Sequence, residues 1–327
     1  MNTTESRTPV TIITGFLGAG KTTLLNQIIE QNKSTIRLAI IENEVGDINI
    51  DADLIVGADD DIFQITDGCL CCTLNLELAK LLAALIKRKD EYDHLIIETT
   101  GVANPAGVAA VFVSDLDVQQ HFVLDGVIGL VDTLYIEELI DNKETEAAQQ
   151  LSFSDVLVFN KTDLVTPEQL QHVKQIIRTI NPFAKQYEAS FGELDTHPLL
   201  NIKAFEQPKL NLSFVAPKLP KGLNHHHGNI TAQSFIFDVP FDFLKFKHFI
   251  EVLLIFQGMR IYRIKGILNI AGQNHKVVVQ SVQKQVVYTK MDNWAVGEKR
   301  QSQLVVIGNG LKKEAFYKRL KTCLAKV

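Results

Sequence analysis

The sequence predicts an α/β fold: a doubly wound domain with a mostly parallel sheet, followed by a smaller α+β domain. Three observations carry this expectation. Near-continuous apolar runs alternate with helix-periodic segments up to about Ser190, a glycine-rich pattern occupies the first strand-to-helix junction, and after Asn229 the strands alternate in polarity and follow one another through short turns.

The elements follow in order. "VTIIT", "RLAIIE", "HLIIET", "GVIGLVD" and "DVLVFN" are apolar on nearly every residue, as expected for strands whose two faces are both covered by helices. Between them, "TLLNQIIEQN", "LELAKLLAALIKRK" and "PEQLQHVKQIIRTI" place apolar residues at helical spacing. In the second of these, Leu74, Leu78, Leu81, Leu82 and Leu85 share one face. From Lys203 to Asn229 the chain is rich in Pro, Lys and Asn and has neither period, which reads as a linker. Then come "AQSFIFDV", the amphipathic "DFLKFKHFIEVLLIF", the strand pair "IYRIKGILNIAGQNHKVVVQSV", "QVVYTK", "QLVVIG" and a last helical "KKEAFYKRLKTCL". That order predicts a small antiparallel sheet with helices on one face. The expected organisation is residues 1–203, a linker at 204–229, and a second domain at 230–327, with no internal repeats.

Composition narrows the partners. With 327 residues, 46% hydrophobic and a net charge of -5, the chain is long enough to bury a sizeable core, and it gives no reason to expect nucleic acid or an anionic membrane surface as a partner. The start, "MNTTESRTPV", lacks a secretory pattern, and the most apolar helical stretch, "FIEVLLIF", is short and carries Glu251. A cytoplasmic protein is expected. There, thiols stay reduced, so the crowding of Cys69, Cys71 and Cys72 among only four cysteines points to metal or redox chemistry.

The clearest chemistry lies in "GFLGAGKT", which matches G-x-x-x-x-G-K-[ST] between a strand and a helix. Gly15, Gly18, Ala19 and Gly20 let backbone N–H groups turn toward phosphate oxygens, and Lys21, Thr22 and Thr23 open a helix whose dipole favours anions. Lys21 is expected to reach the β- and γ-phosphates, and Thr22 to ligate magnesium. The first domain is therefore a P-loop NTPase domain. The base is read from "NKTD" at the end of "DVLVFN": Asn160, Lys161 and Asp163 form an N-K-x-D set. A carboxylate there accepts from both the ring N–H and the exocyclic amine of guanine, whereas adenine presents an acceptor in place of the ring donor. GTP is the expected nucleotide. A small-molecule kinase would leave this set unexplained.

Two further strand ends face the same crevice by topology. "HLIIETTGVANP" places Glu98 as a magnesium-side acid and Gly101 as a backbone group that senses the γ-phosphate; "AIIENEVGDINID" brings Glu42, Glu44 and Asp47, of which Glu44 reads as a solvated loop residue. "ETTGVANP" has no glutamine or arginine to orient water, so slow turnover is expected. Cys72 and Thr73 precede a helix, a location that favours thiolates. Thiolates select zinc, copper(I) or related ions, and three of them leave a tetrahedral ion one position for Glu42, Asp47 or a client's side chain. Small buried residues or a redox pair are the other readings of these cysteines.

In this order, "GFLGAGKTT", "ENEVGD", "GCLCC", "ETTGVANP" and "NKTD" resemble the CobW family of metal-associated P-loop GTPases, and "RIKGIL", "VVVQSV", Trp294 and "LVVIG" resemble that family's C-terminal domain. The resemblance covers nearly the whole chain. It implies GTP hydrolysis, zinc or cobalt at Cys69, Cys71 and Cys72, and delivery of the ion to a metalloprotein client; it also leaves room for a homodimer. Val45 and Asp47 stand where the family usually carries Phe and Glu, and His225, His226 and His227 stand in place of a longer histidine tract. These three imidazoles read either as a weak metal collector or as solvated linker residues. The expected function is a GTP-driven metallochaperone. The competing class is a regulatory or scaffolding GTPase with structural cysteines.

Overall fold

The computed structural model describes residues 7–42, 63–64, 74–101, 103–142, 145–190, 193–205 and 230–326. Its first layer is a parallel sheet of seven strands: β1 (Thr8–Gly15), β2 (Leu38–Glu42), β3 (Phe63–Gln64), β4 (His94–Glu98), β5 (Phe122–Asp132), β6 (Val156–Asn160) and β7 (Lys185–Glu188), in the order β3-β2-β4-β1-β5-β6-β7. Every run expected as a strand is one. The two additional strands are edges: β3 has two residues, and β7, "KQYE", lacks the apolar run by which a central strand is recognised.

Helices cover both faces. α1 (Lys21–Asn32) packs Leu24, Leu25, Ile28 and Ile29 onto Ile13, Ile40, Ile96 and Ile128. On the opposite face lie α2 (Leu74–Ile86) and α3 (Pro105–Ser114), against Ile12, Ala39, Ile41, Leu95 and Ile97. After α4 (Leu116–His121), that layer continues over β5 and β6 with α5 (Ile136–Asp141), α6 (Thr145–Phe153) and α7 (Pro167–Ile180). α7 starts with a capping box, in which the Thr166 hydroxyl accepts from the Gln169 N–H and the Gln169 side chain accepts from the Thr166 N–H. The sequence pattern does not reveal α3, because "PAGVAAVFVS" is apolar all round. It contacts the sheet, α2 and the second domain, so no face is left to be polar.

The second domain is an antiparallel sheet formed by β8 (Ile230–Phe237), β9 (Ile261–Leu268), β10 (His275–Val282), β11 (Gln285–Asn293) and β12 (Ser302–Asn309), in the order β11-β10-β9-β12-β8. α8 (Phe243–Gln257) and α9 (Lys313–Lys321) cover one face, with Phe246, Ile250, Leu254, Phe316 and Leu320 on Ile264, Val279, Leu304 and Val306. The other face packs on the first domain. Along β9, Ile264 faces the helices while Arg263 and Lys265 alternate with it and are buried beneath the first domain. Ala204 and Phe205, at the start of the segment read as linker, are buried in the first domain's core together with Val282 of β10. The Ala204 carbonyl accepts from Gln280 at 2.9 Å. No helix among the described residues is long and apolar enough to cross a membrane.

Candidate nucleotide site

The central strand β1 runs straight into the phosphate loop, between β4 and β5, so its neighbours' carboxyl ends flank the loop on either side. Gly20 stands immediately before α1 with φ 100°, a backbone region that L side chains rarely adopt. A Cβ there would also collide with the side-chain amide of Asn160. That amide donates to the Ala19 carbonyl at 2.9 Å. The N-K-x-D segment and the phosphate loop are thus joined directly, although 141 residues separate them.

Lys21 is buried, and its Nζ donates to the Phe16 carbonyl at 3.4 Å. Burial lowers its pKa, and the neighbouring Glu98 charge works against that shift. A phosphate anion placed here would favour the protonated amine, so the loop is arranged for a negatively charged ligand. Thr22 Oγ1 donates to Glu98 Oε1 at 3.3 Å. Together they put a hydroxyl and a carboxylate, both hard oxygen donors, beside the helix N-terminus, a donor set that suits magnesium. Thr23 is exposed on the next position.

β4 delivers Glu98 and is tied to β1 beyond its own ladder: the Thr99 N–H donates to the Ile13 carbonyl at 2.9 Å, and its hydroxyl to Thr14 at 3.1 Å. Gly101 lies against the phosphate loop so closely that a Cβ would sit 2.7 Å from the Leu17 nitrogen. Its carbonyl accepts from Gln150 Nε2 at 3.0 Å, and the same nitrogen donates to Ala103 at 3.3 Å. Gln150 reaches in from α6, far from "ETTGVANP" in sequence, and no local pattern signals it.

At the base end, Lys161 takes a left-handed conformation, φ 60°, and its backbone N–H donates to Asn160 Oδ1 at 2.9 Å. Its ammonium group pairs with Asp132 at 2.7 Å. Asp132 closes β5 and also accepts from the Leu134 N–H at 3.1 Å; Thr133 donates its hydroxyl to the Asn160 carbonyl at 2.7 Å. Asp132 is a second residue that the sequence reading missed, because a strand-end acid looks the same whether solvated or paired. Asp163 is exposed at the rim.

Glu42 ends β2 in register with Glu98, so the two acids expected at the metal and the magnesium are neighbours on adjacent strands. Cys69, Cys71, Cys72, Glu44, Asp47 and His225 to His227 lie outside the described residues.

Comparison with known proteins gives a consistent picture. A family model described as "CobW/HypB/UreG, nucleotide-binding domain" matches residues 9–188, and one described as "Cobalamin synthesis protein cobW C-terminal domain" matches residues 230–324. The chain is 32% identical to "Zinc chaperone YjiA" of Escherichia coli (strain K12), over 93% of this chain and 95% of that protein. It is 39% identical to "Zinc-regulated GTPase metalloprotein activator 1" of Schizosaccharomyces pombe, over 57% of this chain and 47% of that one. The structure of Zn(II)-bound YjiA GTPase from E. coli superimposes with a TM-score of 0.76, at 27% identity, covering 98% of this chain and 100% of that one.

Proposed function

The chain belongs to the CobW family, and from that premise we propose that it is a cytoplasmic, GTP-hydrolysing metallochaperone that takes zinc or a related ion as cargo and passes it to a metalloprotein client. The observation that supports the GTP reading is the 2.9 Å bond from Asn160 to Ala19, which sets the N-K-x-D segment against the phosphate loop. Base recognition by Asp163 and phosphate binding by the loop then act on one molecule.

In this reading, the loop backbone from Gly15 to Gly20 and the Lys21 amine bind the phosphates, and Thr22 and Glu98 hold magnesium. There magnesium would supply positive charge against the phosphates of the nucleotide. Gly101, packed on Leu17, is where the backbone after β4 meets the γ-phosphate. Cys69, Cys71 and Cys72 receive the metal as thiolates, with Glu42, Asp47 or a client's side chain completing the shell. The register of Glu42 with Glu98 supports a link between the two sites, since a change at either acid is felt by its neighbour across the ladder.

Such a link has a thermodynamic consequence. If the nucleotide state sets metal affinity, metal must tighten GTP binding relative to GDP by the same factor, typically about 5- to 150-fold. Titration with a chelating dye, in magnesium with GDP or a non-hydrolysable GTP analogue, measures this. Equal zinc affinities in the two states would leave a GTPase that binds metal without delivering it.

A further inference from the structure

We infer that Gln150 is a positioning residue for the backbone after β4, and that the C-terminal sheet governs it by holding the helix from which it acts. The inference rests on the reading of Gly101 as part of the γ-phosphate side of the site. Gln150 is buried on α6, and its single amide nitrogen serves both the Gly101 and the Ala103 carbonyls. With two carbonyls held from one donor, α6 orients the peptide planes around Gly101 together with the turn bond from the Ala103 N–H to the Thr100 carbonyl at 3.0 Å, beyond the end of β4 at Glu98.

α6 itself is clamped from outside. The last carbonyls of a helix have no partner within it. Here Asn181 Nδ2 donates to Leu151 at 2.7 Å and to Ser154 at 2.8 Å, and Arg263 of β9 donates to the Phe153 carbonyl. The Arg263 guanidinium also stacks on the Phe153 ring, 4.4 Å from its centre. Two residues on, Asp155 receives Arg263 at 2.9 Å and Lys265 at 3.0 Å on one oxygen, while its other oxygen accepts from the Val127 N–H at 3.2 Å. All three charged side chains are buried. Gln150 lies three residues before Phe153, hence on the same side of the helix as the end that Arg263 holds. A buried cation of the second domain is therefore one helical turn from the group that orients the phosphate-side backbone. If that backbone shifts when a γ-phosphate arrives, either Gln150 releases it or α6 moves against the second domain.

The test uses the full chain. Hydrogen exchange over β4 and the residues after it, with GDP and with a non-hydrolysable GTP analogue, checks the underlying reading in the wild type; equal protection in the two states overturns that reading and this inference with it. Given a difference, Gln150→Met, which keeps the volume and removes the donor, is expected to abolish it and to lower kcat for GTP about tenfold or more through misplacement, with GDP affinity within about twofold of wild type. If Gln150→Met retains the difference and kcat, or if it lowers only thermal stability and GDP affinity, Gln150 is structural and the inference fails. Arg263→Lys keeps the charge and removes the guanidinium's reach and stacking. It is expected to lower kcat in the wild-type background but not further in Gln150→Met. Additive losses would overturn the role of the second domain.

Discussion

The Asn160 side-chain amide donates to the Ala19 carbonyl at 2.9 Å, against the glycine that precedes α1. Asn160→Ala removes the donor that holds the loop. Loss of one buried hydrogen bond costs the fold about 1–3 kcal/mol, and the part of it that nucleotide binding must restore in the loop appears as weaker affinity, at most roughly 5- to 150-fold. Because the bond supports the loop and not the third phosphate, GTP and GDP should weaken alike in calorimetric titrations. A selective loss of GTP binding would contradict this account.

Asp163 is exposed at the rim of the same segment, where a base is expected to meet it. Asp163→Asn exchanges an acceptor for a donor. Preference should move from GTP toward the xanthine nucleotide, whose additional carbonyl complements an amide, by about 1–3 kcal/mol of discrimination. Competition against a fluorescent guanine nucleotide reads this out, and equal turnover of ATP and GTP by the wild type would remove the basis for the assignment.

The metal site is testable by its ligand atoms. Replacing Cys69, Cys71 and Cys72 together by Ser should abolish the sulfur-to-cobalt charge-transfer band of the cobalt(II)-loaded protein. Cys323→Ser should keep that band, because Cys323 is buried in the second domain's core, where burial pushes its thiol pKa up. Retention of the band by the triple variant would place the ion elsewhere.

Acid sensitivity should come from the centre of the parallel sheet. His94 Nε2 lies 2.8 Å from the Thr11 hydroxyl, which donates to Asp125 at 3.2 Å, and burial lowers the His94 pKa to about 4. The folded imidazole thus stays neutral where the unfolded one, with an ordinary value near 6.5, takes up a proton. Its contribution is complete above about pH 6.5 and is lost as pH falls toward 4, by about 3 kcal/mol in total. Asp125, whose carboxyl burial raises, works in the opposite sense in acid. Urea unfolding at pH 7, 5 and 4 should show this decline in the wild type and a shallower one in His94→Gln; parallel curves would refute it.

The sequence by itself determined the parallel sheet, the phosphate loop, the N-K-x-D set and the antiparallel second domain, because each is written in local terms. A covered strand needs a continuous apolar run, a phosphate turn needs its glycines and lysine, and a guanine reader needs an acid at a strand end. Only the tertiary structure decided the rest. Arg263 and Lys265 alternate with Ile264 in the pattern of a half-solvated strand, yet they are buried on Asp155, because periodicity reports which residues share a face and not what covers it. α3 left no trace, since burial on several sides removes the polar face by which a helix is recognised. Gln150 and Asp132 became visible as partners of Gly101 and Lys161 only when α6 and β5 were placed beside them. A hydrogen bond between residues tens of positions apart depends on the packing of whole elements, and no short stretch of sequence encodes that.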